Sequence, residues 1–288
     1  MTTPELPATT ADLIFDAQRL GVAITQRLIT DWVERGLLDS PERQGAGRGK
    51  GSKPALFPVS QRKLFALLIQ KRKETRKIPV LARIPLYLWV YWGEDYVPVK
   101  QARRVLRTWA DDVLKTSLDS ARRNAVATVT QLAASDAPAD AVRELTTLIE
   151  RIGYQGFFTR EHKLGVLLDI VIDPHRTGAS FGPPGLTIDA ATYMTALSWQ
   201  YAAFNYIRNP DVDQVEEEVL TAASTLLRVD IAEYLSMQPQ LVAASTPEQR
   251  ERFQLQADAQ QLVDGVGHDL LRAIGTILHG AEELTHER

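Results

Sequence analysis

The sequence predicts a mainly α protein: an N-terminal winged helix-turn-helix with a small β-hairpin wing, followed by an all-helical C-terminal bundle of about five helices. Apolar residues recur at three- and four-residue spacing through most of the 288 positions. One glycine- and cation-rich stretch, residues 39–58, breaks that spacing early and cannot be helical. The charge is divided. Residues 1–107 carry 19 Lys+Arg against 10 Asp+Glu, and residues 108–288 carry 14 against 26. A basic module joined to an acidic one suits a DNA-binding head on a solvated body, but charge alone fits uneven surface charge equally well.

Residues 2–9 are polar, contain proline and read as a disordered arm. They lack the basic head and apolar core of a signal peptide. Thr10 is the expected cap of a helix that begins at Ala11, with Asp12 in its first turn and Leu13, Ala17 and Leu20 on one face. Gly21 ends that helix in the left-handed conformation. Thr25 caps a second helix reaching about Arg35, with Leu28, Ile29, Trp32 and Val33 inward. Gly36 closes it, and Leu37 and Leu38 tuck back as a hydrophobic stop. In the broken stretch, Ala55 to Phe57 reads as the returning strand of a hairpin. Ser60 is expected to cap a third helix with Leu64, Phe65, Leu67, Leu68 and Ile69 inward. Its outward residues are Arg62, Lys63, Lys71, Arg72 and Lys73.

Residues 1–77 therefore form the head, 78–98 an aromatic junction and 99–288 a helical dimerisation, effector or interaction domain. The junction holds Pro79 and Pro85, which suit the first turns of short helices, and a cluster of tyrosines and tryptophans. Such clusters mostly serve packing; the sharper reading is an effector pocket. Its candidate walls are Trp89, Trp92 and Tyr96, with Trp199 and Tyr206 from a later aromatic helix. Beyond the junction the spacing predicts one amphipathic helix from Val99 to Ala133 and another from Ala139 to Ile152, closed by Gly153. A shorter helix spans 159–172, a proline- and glycine-rich loop spans 173–186, and further helices span 188–207, 212–237 and 247–283.

The longest apolar run is shorter than the roughly 20 residues that cross a bilayer, so no membrane partner is expected. The absence of cysteine removes disulfides, thiolate zinc sites and cysteine nucleophiles, and suits a cytoplasmic location. No nucleophile elbow, zinc-protease helix or dinucleotide fingerprint appears. The pairs Asp264/His268 and His279/Glu283 read as solvated helix positions rather than metal ligands. The run Gly45 to Gly51 lacks a phosphate-loop pattern, because Lys50 is followed by glycine. No catalytic residue, metal or cofactor is expected.

A recognition helix reads bases with side chains near its N-terminal end. Here those are Thr25, Gln26, Arg27 and Thr30. Gln can bond both the acceptor and the donor on the major-groove edge of adenine, and Arg can donate to both acceptors on that of guanine. In the wing, Arg43, Arg48, Lys50 and Lys53 are separated largely by small residues that let backbone approach phosphate, and Arg62 and Lys63 add cations beside it. Gly21-Val22-Ala23-Ile24, Trp32 to Leu38, the basic loop and Leu56-Phe57-Pro58 together resemble the MerR-like winged helix-turn-helix regulators. The resemblance covers about the first quarter of the chain. Here the turn lies two residues further from Gly36-Leu37-Leu38, and the wing is longer and richer in glycine. The resemblance implies an effector-sensing C-terminal domain.

The expected function is that of a transcription regulator binding specific double-stranded DNA. It would act as a homodimer, because one short helix reads few base pairs and paired half-sites fix the register. A small-molecule effector or protein partner is expected for the C-terminal domain. A second class stays open: a DNA-binding partition or recombination-accessory protein whose acidic helices recruit protein partners.

Overall fold

Thr9 sets the start of the first helix. Its hydroxyl accepts the Asp12 N–H at 3.2 Å, while the Asp12 carboxylate accepts the Thr9 N–H at 2.8 Å. This reciprocal capping box starts α1 (Thr10–Arg19) one residue before the expected Ala11 and moves the cap from Thr10 to Thr9. The computed structural model describes residues 6–43, 54–113, 117–134, 136–155, 162–171, 199–200, 202–207, 217–244 and 259–286.

Gly21, at φ +77°, turns the chain into α2 (Gln26–Glu34), which Thr25 caps as expected. The end of the supposed arm is ordered. Ala8 is fully buried and exchanges two hydrogen bonds with Phe57, at 3.0 and 2.7 Å, so residues 6–9 are held where disorder was expected. Among the described residues no strand forms. In the head, the pairing between described residues consists of two isolated antiparallel bridges, Ala8 with Phe57 and Glu42 with Leu56.

In α3 (Val59–Glu74) the cap position is Pro58, not Ser60, and it makes no side-chain cap bond. Its buried stripe is Gln61, Leu64, Phe65, Leu68 and Ile69. Leu67 falls on the other flank and is 48% exposed, against expectation. The aromatic junction is one helix, α4 (Ile78–Trp92), rather than short proline-started pieces. Pro79 lies in its first turn as expected, but Pro85 lies inside and is buried. An interior proline costs about 3 kcal/mol. The single face formed by Leu81, Ala82, Leu86, Trp89 and Val90 is buried throughout and offsets it.

The long helix expected from Val99 is two: α5 (Val99–Val113) and α6 (Leu118–Leu132). Ser117 divides them. It is extended, and its hydroxyl caps the new helix by accepting the Ser120 N–H.

Two compact units result. The first comprises 1–110 with 262–267, and the second 111–261 with 268–288. The first therefore takes in α4 and nearly all of α5, passing the boundaries expected at 77 and 98. In it, Arg83 pairs with Asp264 at 2.7 Å, and the Trp109 ring lies against Gly267, where any Cβ would stand 2.5 Å from it.

The described residues of the second unit are mainly helical. α7 (Ala139–Gln155) runs through Gly153, which was expected to end it; the glycine stays helical beside Ala121. α8 (His162–Val171) follows. Val129, Leu145, Leu148, Ile152, Leu164, Leu168 and Val171 form a core between α6, α7 and α8. Residues 199–200 and 202–207 are helical, followed by α9 (Glu217–Ala244) and α10 (Ala259–His286). The expected loop 173–186 lies outside the described residues. Among the described residues no helix is long and apolar enough to cross a membrane.

Candidate nucleic-acid interface

The second helix is anchored from beneath and at its far end. Ile29 and Trp32 are buried, while Leu28 and Val33 are half-buried. The Trp32 ring sits 6.0 Å from that of Phe65 on α3, and the Arg72 guanidinium lies 5.9 Å from its centroid. Arg72 is therefore partly drawn inward. Burial first, and then the Arg76 charge, lower its pKa.

At the C-terminal end, Gly36 takes φ +76°, and Leu37 and Leu38 are completely buried. The α2 end is then tied down by polar groups. The buried Gln101 amide of α5 donates to the carbonyls of Gly36 and Leu37 at 3.1 and 3.2 Å. Its oxygen accepts from Gln61 of α3 at 2.8 Å, and the Gln61 oxygen accepts the Asp39 N–H at 2.8 Å. Arg104 bonds the Asp39 carboxylate at 2.7 Å, and the Thr108 hydroxyl donates to the Arg35 carbonyl at 2.9 Å. Buried amides whose partners are supplied rigidify a junction. This network was missed in the sequence. Its signal was present: Gln61 and Gln101 lie on the apolar stripes of their helices, where glutamine needs a partner.

The opposite face is open. Thr25, Gln26, Arg27 and Thr30 are all exposed. The threonine hydroxyls already have local bonds. Thr25 accepts the Leu28 N–H at 3.3 Å, and Thr30 donates to the Gln26 carbonyl at 3.2 Å. The Gln26 and Arg27 side chains have no hydrogen-bond or ion-pair partner among the described residues. Further along, Arg35 pairs with Asp31 at 2.7 Å. The first turn contains no acid to repel a phosphate or a base acceptor.

The cations divide. Arg43 is exposed and Lys63 half-exposed. Arg62 is engaged internally: its guanidinium grips Asp16 of α1 at 2.7 and 3.0 Å and donates to the Leu6 carbonyl at 3.1 Å. The bond to Asp16 raises its pKa, burial opposing this. Arg62 fastens α3 to α1 and to the N-terminal segment, which leaves its fork unavailable to a phosphate while that geometry holds. Arg48, Lys50 and Lys53 lie outside the described residues, as does the tip of the expected wing. Glu42 and Leu56, on either side of that gap, exchange backbone bonds of 2.8 and 3.0 Å.

No family model, no curated protein and no solved structure matches the chain.

The supposed effector residues fall in both units. Trp89 is buried in the first unit, Trp92 is 52% exposed, and the Tyr96 carbonyl accepts from Gln61 at 3.0 Å. Tyr87, Tyr91 and Trp92 instead form a ring cluster, with centroids 4.8 to 6.4 Å apart. Trp199 and Tyr206 are half-buried in the second unit, where Trp199 lies 5.9 Å from the His279 ring. The His268 ring bonds the Gln200 amide at 3.0 Å. Among the described residues no three His, Asp or Glu side chains gather as a metal site requires.

Proposed function

We propose that the protein is a transcription regulator that binds specific double-stranded DNA as a homodimer, with α2 as its reading helix. The observation that carries this reading is the exposed pair Gln26 and Arg27, whose side chains have no partner among the described residues, on the first turn of a helix whose other face and far end are fixed by Trp32, Leu37, Leu38 and Gln101. Reading demands that combination of free donors and a rigid mount, because a base contact misplaced by an ångström loses its hydrogen bond. Thr25 and Thr30 contribute by exchanging their local bonds for base or phosphate contacts. The paired Glu42 and Leu56 support a hairpin wing between them, carrying Arg43, Arg48, Lys50 and Lys53 to the phosphates.

The experiment is selection of bound sites from a random duplex pool. The expected product is an inverted repeat whose half-site centres are separated by about one helical turn or a multiple of it. Recovery of sequences with no common element, or no retention of duplex at low salt, would refute specific reading.

A further inference from the structure

Described residues of the second unit line an open, largely apolar groove. Ala222, Leu226 and Val229 of α9 line it with Ile277 of α10, and its volume is about 750 Å³. Glu217 and Glu218 stand at one end. Beyond Leu227, α9 runs on to Ala244 without a buried side chain among those described; Val229, Leu235 and Met237 are 45–47% exposed. A helix in water gains most of its stability from a packed face, and none of the described side chains in the second half of α9 is buried.

The charge of this helix restricts the occupant. It carries Glu217, Glu218, Asp230 and Glu233 against a single cation, Arg228. Burial, and then the neighbouring Glu233, push the Asp230 carboxyl up. A second copy packing on the same face would bring these carboxylates towards their own symmetry mates, which repels. Lys or Arg flanking an apolar stripe would be attracted instead.

We propose that the α9–α10 groove docks a basic amphipathic helix of another protein, its apolar residues at i, i+3, i+4 and i+7 against Ala222, Leu226 and Val229 and its cations beside the α9 carboxylates. This is the helix-in-groove mode of recognition. It does not depend on the DNA-binding reading, since the groove belongs wholly to the second unit.

The test uses the full-length chain and a fluorescent 18-residue leucine/lysine peptide with that apolar spacing. Two controls accompany it: a scrambled peptide of the same composition, and a leucine/glutamate peptide with the same spacing. Anisotropy should show binding of the first peptide alone. Glu218→Lys combined with Glu233→Lys, both at exposed positions, should weaken it at least tenfold, and so should Val229→Lys. Circular dichroism should show unchanged helix content in each variant. Equal binding of the scrambled peptide, preference for the acidic peptide, or unchanged affinity of the folded variants would overturn the proposal. So would sedimentation showing a dimer that Val229→Lys dissociates, because the occupant would then be a second copy. None of these outcomes involves DNA, so the site-selection result is judged separately.

Discussion

Gly36 and Gly21 share nearly the same backbone angle, +76° and +77°, in different surroundings. An added Cβ at Gly21 would meet nothing within 4 Å, whereas at Gly36 it would stand 2.5 Å from the Val105 nitrogen and 2.7 Å from the Arg104 Cβ. Gly21→Ala should therefore lose only the left-handed backbone allowance, about 1–2 kcal/mol. Gly36→Ala should lose that and displace α5 as well, for a total of roughly 3–5 kcal/mol. Urea denaturation of both variants measures the difference; equal losses would mean that α5 gives way freely. Both glycines were legible as helix stops because a left-handed ending favours glycine at a fixed place. The approach of α5 was not, since 69 positions separate Gly36 from Val105 and no local pattern encodes that contact. Gln61 and Gln101 were missed for a related reason: a glutamine on an apolar stripe acquires its meaning only from the partner that meets it.

Among the elements, the helices most clearly written in the sequence are those with local stops. Thr25 and Gly36 bound α2 as read. The errors arose where tertiary packing overrode a local signal. Pro85 argued for a break, but the buried face of α4 carries through it. The reverse happened at Ser117, where uninterrupted periodicity hid a cap. At α1 the cap has a measurable consequence. The Thr9 N–H, then the Thr9 hydroxyl, hold the Asp12 carboxyl below the usual carboxylate range; the Arg62 charge assists, and slight burial opposes. A lowered folded pKa means a contribution fully present above the unfolded value of about 3.9 and lost as pH falls through the folded value. Asp12→Asn should accordingly be less stable than the native chain above about pH 4. The gap should close as the pH falls through the lowered Asp12 value. Chemical denaturation across an acid series checks this; a gap independent of pH would assign the effect to the changed side chain and not to its charge.

For the whole molecule, the division of charge governs how the proposed DNA binding responds to salt. Eleven of the Lys+Arg residues lie between Ser40 and Lys77, and the acidic excess lies beyond residue 107. Phosphate contacts release counterions, so the log of affinity should fall linearly with the log of salt concentration, by about 0.9 per phosphate neutralised. Base contacts release none. Lys63→Ala should therefore weaken every duplex alike and make the slope shallower by about 0.9. Arg27→Ala should leave the slope nearly unchanged and lower discrimination at one base pair by roughly 1–3 kcal/mol. Arg62→Ala belongs to neither class. Its fork holds Asp16 and the Leu6 carbonyl, so the loss should appear first in the unfolding midpoint. Titrations of the selected site and of a random duplex, each at several salt concentrations, separate the three. If Arg27→Ala and Lys63→Ala changed slope and discrimination in the same way, α2 would be gripping the backbone as Lys63 does, and the sequence preference would have to come from the shape of the duplex.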